Sequence, residues 1–281
     1  MVSTAPANLI MFENLSDVDI LRTVLEQASS NLELELDFQE DGALCYFKVP
    51  ETGDKVTYMG HDFGFNKALN SMFAKNKVMC SEILTRNGVA NIDHSLFYSK
   101  EDHDNQIDVF SLVDYPCVLK PTLGGGGKDI YFCNNRNELL HAYLKLYNKY
   151  DENDTHKMVA ISPYEEFGNE YRVTVLDNKV LLSYGKTKGE NNQNNLSMGA
   201  EIVYVPEELQ EDIHALAIKA NKALGLRLTN VDIVNTKDGL KVLEVNNTVV
   251  LKRIAHEPYY FPLCVQAYEE ILKLALYELK N

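Results

Sequence analysis

Long apolar runs are missing from this chain. No uncharged stretch approaches the ~18 residues that a membrane-spanning helix requires, so a soluble protein is expected. Paired cysteines are missing too. The five present, Cys45, Cys80, Cys117, Cys133 and Cys264, form no C-x-x-C motif and keep no regular spacing. An odd, scattered set suits buried thiols in a reducing compartment and argues against a disulfide framework or a zinc site. Residues 1–8 lack the basic start of a secretory signal, and Glu13, Asp17 and Asp19 follow at once, so a cytoplasmic location is expected. Positive charge is scarce: 27 Lys and Arg face 41 Asp and Glu, a formal net charge of −14. Neither nucleic acid nor a membrane fits as the main partner, since both demand a basic footprint. A small anion remains compatible, because a few local cations override a global balance. What is present, 45% hydrophobic and 24% charged residues, is the composition of an ordinary folded protein with material for a full core. A length of 281 residues allows two domains or one large one.

Hydrophobic periodicity orders the chain. Residues 8–12 read as a short strand and 17–27 as an amphipathic helix. Residues 32–38 alternate apolar and acidic side chains like a half-buried strand, and Asp41-Gly42 turns into another over 43–49. That pattern predicts the first part of a small α/β domain. A helix is expected over 66–87, stopped by Gly88. A strand over 117–120, closed by Pro121, leads through four glycines to a returning strand over 129–133 and a helix over 136–150. Strands are expected over 158–161, 170–176 and 179–184, with Asp177-Asn178 as a hairpin turn. The Asn/Gln tract at 190–195 reads as an ordered active-site loop. A helix over 206–225, strands over 231–234 and 241–245, and a last helix over 261–279 complete the expectation.

Three constellations carry chemistry. The first is Lys120-Pro121-Thr122-Leu123-Gly124-Gly125-Gly126-Gly127. Consecutive glycines let backbone N–H groups converge on an anion, and Lys120 sits just upstream on a strand, where its ammonium can reach a phosphate. A strand follows these glycines, so the pattern is not a P-loop, whose Lys-Ser/Thr opens a helix. The second is Asp232 on one strand and Glu244 and Asn246 on the next, across the turn Lys237-Asp238-Gly239. Residues i and i+2 share a strand face, so three oxygen donors can meet there as Mg²⁺ requires. A solvent-facing alternation explains the same residues equally well. The third is Ser162-Pro163-Tyr164 followed by Glu170 and Arg172 on one strand face. In isolation the last two suit an exposed ion pair.

Taken together and in this order, the three resemble the ATP-grasp family over about residues 77–253. The nearest branch contains ribosomal-protein glutamate-adding ligases, bifunctional glutathione synthetases and cyanophycin synthetase. The resemblance implies a mixed α+β and α/β architecture in which two α+β subdomains sandwich ATP. On that basis residues 1–75 form a small N-terminal domain and 76–281 the ATP-grasp domain, divided into 76–160 with the glycine loop and 161–281 with the Mg²⁺ site. Carried over one by one, Lys77 and Lys120 would touch nucleotide phosphates and Gly124, Gly125, Gly126 and Gly127 would close over them. Ser162 and Tyr164 would form the hinge beside adenine, with Glu170 on the ribose. Asp232, Glu244 and Asn246 would hold Mg²⁺, with Mn²⁺ able to substitute. The segment Asn194-Asn195-Leu196-Ser197-Met198-Gly199-Ala200 resembles the branch's Asn-Leu-x-x-Gly, which places Asn195 at the active site with Arg172 and Lys186. The sequence departs from the family in two places. Ser162-Pro163-Tyr164 replaces the usual Gln or Glu plus aromatic, and Asn247-Thr248-Val249-Val250 replaces Pro-Gly after the metal asparagine.

The implied reaction is ADP-forming amide synthesis through an acyl-phosphate, joining a small or short-peptide acid to an amine, and it leaves room for a homodimer. A peptide- or protein-modifying ligase, by crosslinking or amino-acid addition, and a nucleotide-binding protein without catalysis are the alternatives. His61, His94, His103, His141 and His214 suit surface or structural roles, and His256 a capping role. Cys117 and Cys133, on apolar strands beside the glycines, suit the core.

Overall fold

The computed structural model describes residues 15–98, 110, 113–149, 158–187 and 200–280. The strand expected at 8–12, the 190–195 tract and Asn195 lie outside them. Helix α1 (Asp17–Asn31) opens with a capping box in which Ser16 and Asp19 satisfy each other's backbone N–H, and it buries Ile20, Leu21, Val24, Leu25 and Ala28. It covers an antiparallel sheet of β1 (Glu35–Gln39), β2 (Leu44–Lys48) and β3 (Lys55–Met59). One apolar cluster joins this layer to the last helix, α6 (Phe261–Leu279): Val24, Phe47 and Tyr58 share it with Val265, Tyr268 and Ile271. The boundary expected at 75/76 therefore separates sequence regions that bury side chains into one core.

The expected helix over 66–87 is two helices, α2 (Ala68–Lys75) and α3 (Lys77–Arg86). Asn76 between them is extended (φ −92°, ψ 111°), and its side chain accepts from the N–H groups of Val78 and Met79, capping α3. The backbone N–H of Lys77, freed from helical pairing, donates to the carbonyl of Thr122 at 3.0 Å. Tertiary bonding thus overrides a continuous apolar period. Gly88 ends α3 in the left-handed region, as the sequence predicts.

Two further sheets frame the rest. The four-stranded one runs β4 (Ser95–Tyr98), β7 (Val159–Pro163), β5 (Cys117–Pro121), β6 (Tyr131–Cys133) in spatial order. Its Cys117, Leu119, Cys133 and Val159 pack under α4 (Arg136–Lys149), so Val118, Lys120, Phe132 and Ser162 fall on the other face. The five-stranded sheet is ordered β10 (Ile202–Val203), β9 (Lys179–Lys186), β8 (Phe167–Leu176), β11 (Leu228–Thr236), β12 (Gly239–Asn246). Tyr171, Val173, Val231, Ile233 and Val245 bury one face against α5 (Glu207–Ala223) and α3. The opposite face is apolar at one end, where Leu176, Leu182 and Leu228 join the core under α6, and polar at the other. Among the described residues no helix is long and apolar enough to cross a membrane.

Candidate active site

That polar end is built by strand register. Tyr184, Arg172, Asp232 and Glu244 are successive cross-strand partners on β9, β8, β11 and β12, and Lys186 pairs with Glu170 in the adjacent row. Asn246 follows Glu244 on the same face. The face looks across a cavity of about 530 Å³ at the four-stranded sheet, which contributes Val118, Lys120, Phe132, Ser162 and the glycine loop. Every site residue expected from the sequence lines this cavity except Asn195, which lies outside the described residues.

Charge is concentrated here. Lys77, Lys120, Lys128, Arg172, Lys186 and Arg253 line the cavity against Glu165, Glu170, Asp232 and Glu244, a formal excess of two positive charges in a chain of −14. Arg172 grips Asp232 with both faces of its fork, Nε to Oδ1 at 2.7 Å and Nη2 to Oδ2 at 2.6 Å. Lys186 donates to Glu170 and stands 3.5 Å from Asp232 Oδ1. The ion pair expected between Glu170 and Arg172 is thus exchanged for two pairs reaching neighbouring strands, with Glu170, Lys186 and Asp232 buried and Arg172 half-buried rather than exposed. Burial works against the Asp232 carboxylate, yet Arg172 and Lys186 outweigh it and hold the group down at about 2. Glu170 is pushed up to about 7 by burial and by the Asp232 charge, against the pull of Lys186.

Lys120 differs from all of these. Burial lowers its ammonium to about 8, opposed by Glu244 and assisted by Lys77. Its ammonium makes no ion pair or hydrogen bond among the described residues. Lys77 Nζ donates to the carbonyl of Gly124 at 2.8 Å, tying the start of α3 to the glycine loop. In that loop Gly124, Gly126 and Gly127 hold φ of +115°, +70° and +72°, which side-chain-bearing residues resist. Tyr164 meets the Phe132 ring edge-on at 5.8 Å, and Glu165 beside it is held by Lys241 Nζ at 2.7 Å.

The oxygen donors suit a hard divalent cation that also binds phosphate. Glu244 carries no hydrogen bond or ion pair among the described residues, and Asn246 donates through Nδ2 to Asp232 Oδ2 at 3.2 Å, which leaves its Oδ1 as an acceptor. Asp232 lies beside them, but both its oxygens already accept from Arg172. Among the described residues no three His, Cys, Asp or Glu converge as a metal cluster, so ligand oxygens must complete any such site. Tyr184, Phe132 and Arg253 escaped sequence reasoning, since only the tertiary fold brings them to the cavity, whereas Lys128 directly follows the four glycines in sequence but was given no role. His256 meets Asp17 of α1 at 3.2 Å, and Cys117 and Cys133 are core residues, as expected.

The sequence model of one protein family, described as a RimK-like ATP-grasp domain, matches residues 74–258. A tetrahydromethanopterin:alpha-L-glutamate ligase of Methanocaldococcus jannaschii is 34% identical over 178 residues, 62% of this chain and 58% of that protein. The alpha-aminoadipate–LysW ligase LysX of Saccharolobus solfataricus is 28% identical over 177 residues, 61% of each. The chain thus spans about three fifths of the length of these relatives. Among solved structures, the ATP complex of D-alanine–D-alanine ligase from Bacillus anthracis superposes with a TM-score of 0.57 at 20% identity, covering 76% of this chain and 69% of that one. At that identity the likeness speaks for the fold alone.

Proposed function

The chain belongs to the RimK-like ATP-grasp family, matched over residues 74–258, and from that premise we propose that it is an ATP-dependent carboxylate–amine ligase. The observation that carries the proposal is Lys120, a buried ammonium with no ion pair or hydrogen bond among the described residues, beside four glycines and in the field of Glu244. A buried cation is costly unless an anion is supplied, and a phosphate shared with Lys77 and the loop N–H groups supplies one. Apolar lining from Ile92, Val118, Phe132 and Leu243, near Ser162 and Tyr164, suits the faces of a purine, and Glu170 suits a ribose hydroxyl.

In the proposed reaction Lys77, Lys120 and the glycine loop orient the terminal phosphoryl group of ATP and neutralise its charge while a substrate carboxylate attacks it. The products of that step are an acyl-phosphate and ADP. Glu244, Asn246 and Asp232 are the residues that would hold Mg²⁺ or Mn²⁺, which supplies charge screening of the phosphates. When an amine attacks the activated carbonyl, Arg172 and Lys186 would stabilise the oxyanion, with Asn195 expected beside them. Collapse of that oxyanion expels inorganic phosphate and a proton and leaves the amide. The two facing sheets restrict water, which would otherwise hydrolyse the acyl-phosphate. An amino acid stands in the name of both relatives above, L-glutamate in one and α-aminoadipate in the other, which supports amino-acid substrates for this chain as well.

The test is a screen of acids with Mg·ATP, reading ADP release and trapping the activated carbonyl with hydroxylamine. A hydroxamate formed with one class of acid is the expected result. Glu244→Gln, nearly isosteric, should keep the fold while lowering turnover by roughly a hundredfold and raising the Mg²⁺ requirement. ADP formation without hydroxamate for any acid would replace the ligase with an ATP hydrolase on the same fold.

A further inference from the structure

Among the described residues two arginines line the cavity, and the guanidinium of only one is held by hydrogen bonds. Arg172 commits its Nε and Nη2 to Asp232. Arg253 lines the same cavity and keeps 44% of its side chain exposed, and its guanidinium makes no hydrogen bond among the described residues. Its nearest partner is Asp17, with Nε 3.6 Å from Oδ2, a charge contact too long to fix the guanidinium by hydrogen bonding. The same carboxylate faces Lys252 Nζ at 4.0 Å and His256 Nε2 at 3.2 Å. One carboxylate therefore serves two permanent cations and an imidazole, and positive charge is left over where the segment after β12 meets the cavity.

The backbone under Arg253 is firmly held. Val249, Leu251 and Ile254 are buried in the core shared by α1 and α6, and the Ala255 N–H donates to the Leu251 carbonyl at 3.0 Å. Asp17 is equally fixed, in the first turn of a capped helix. Partly exposed ion pairs of this kind contribute ~0–1 kcal/mol, so stability gives little reason for Lys252, Arg253 and the His256 imidazole to converge on one carboxylate. A planar fork with its donors uncommitted, on a rigid segment, is instead matched to an incoming oxyanion.

We propose that Arg253 is a specificity-determining residue that receives a carboxylate of the organic substrate, and that Asp17 of α1 positions its guanidinium. This rests on the ligase reading above and assigns the N-terminal layer a part in substrate choice. A nucleotide phosphate could supply the same oxyanion, and the experiment separates the two.

The protein saturated with Mg·ADP is titrated calorimetrically with succinate, glutarate and adipate, and with the monoacids of equal length, butanoate, pentanoate and hexanoate. At least one diacid should bind about tenfold or more tighter than its monoacid, as a charge-assisted contact implies. Arg253→Gln should erase that ratio and leave the affinity for ADP unchanged. Arg253→Lys, which keeps charge but loses the fork, should fall between. Asp17→Asn should reduce the ratio with the melting temperature little altered, and Asp17→Glu should restore part of it, which a merely structural aspartate would not do. The proposal is overturned if no diacid outbinds its monoacid or if Arg253→Gln keeps the ratio. Loss of ADP affinity instead of diacid affinity overturns it in favour of a phosphate contact. The ligase reading fails separately, in the hydroxamate screen of the wild-type protein.

Discussion

Lys120 shows how much a single residue can report. It sits on β5 with its apolar neighbours turned into the core under α4, so its own side chain has only the cavity to occupy. Burial brings its ammonium down to about 8, which leaves about half the unliganded molecules neutral at that pH. Phosphate binding requires the charged form, so binding near pH 8 should take up protons. Above pH 8 the apparent Kd for Mg·ATP should rise by up to about tenfold per unit until the liganded ammonium itself titrates. Calorimetry in buffers of different ionisation enthalpy measures the proton uptake, and a Kd flat from pH 7 to 9.5 would remove Lys120 from the phosphate site. Asp232 is the contrasting case. Arg172 and Lys186 hold it ionised across that whole range, so it contributes no slope there.

At the scale of elements the glycine loop carries a prediction that separates conformation from space. An added Cβ meets nothing within 4 Å at Gly124, Gly125 or Gly126, so crowding distinguishes none of them. Backbone conformation does, since Gly126 holds φ of +70° and Gly125 does not enter the left-handed region. Gly126→Ala should cost ~1–2 kcal/mol in the phosphate-ready conformation and weaken Mg·ATP binding about five- to thirtyfold, whereas Gly125→Ala should change it less than about twofold. Equal effects in a titration would show that the loop binds nucleotide in another conformation. The same element explains what was legible in the sequence. Lys120, the glycines and the i, i+2 pair Glu244 and Asn246 are local patterns on single strands, and local patterns can be read without a fold. The break at Asn76 was hidden because the apolar period runs through it, and a bond from Lys77 to Thr122, far along the chain, decides it. The short strands β4 and β10 offer only four and two residues, too few for a period to show, while the alternation of Lys55, Val56, Thr57 and Tyr58 in β3 was legible and escaped the sequence reading. The partners of Glu170 and Arg172 required the register of three strands, and the approach of Arg253 to Asp17 required the whole topology.

For the whole molecule, the N-terminal layer and the two sheets that frame the cavity should behave as one cooperative unit. Phe47 of β2 is fully buried and stacks on Phe63 at 6.2 Å, and Phe63 in turn meets Tyr268 of α6 at 6.3 Å. The same cluster runs on through Leu182 and Tyr184 of β9, and Tyr184 lines the cavity. Disrupting the first layer therefore removes contacts from the back of the candidate site. Phe47→Ala should destabilise the protein by about 3–5 kcal/mol through lost burial and the cavity left behind. If the core is shared, that loss lowers the midpoint of a single calorimetric transition, with the van't Hoff and calorimetric enthalpies still equal. If residues 1–75 fold as a separate unit, an early transition should split off, and a later one should remain at the original temperature and still respond to Mg·ATP. The second pattern would detach the N-terminal layer from the site and leave Asp17 without the rigid support that its contact with Arg253 requires.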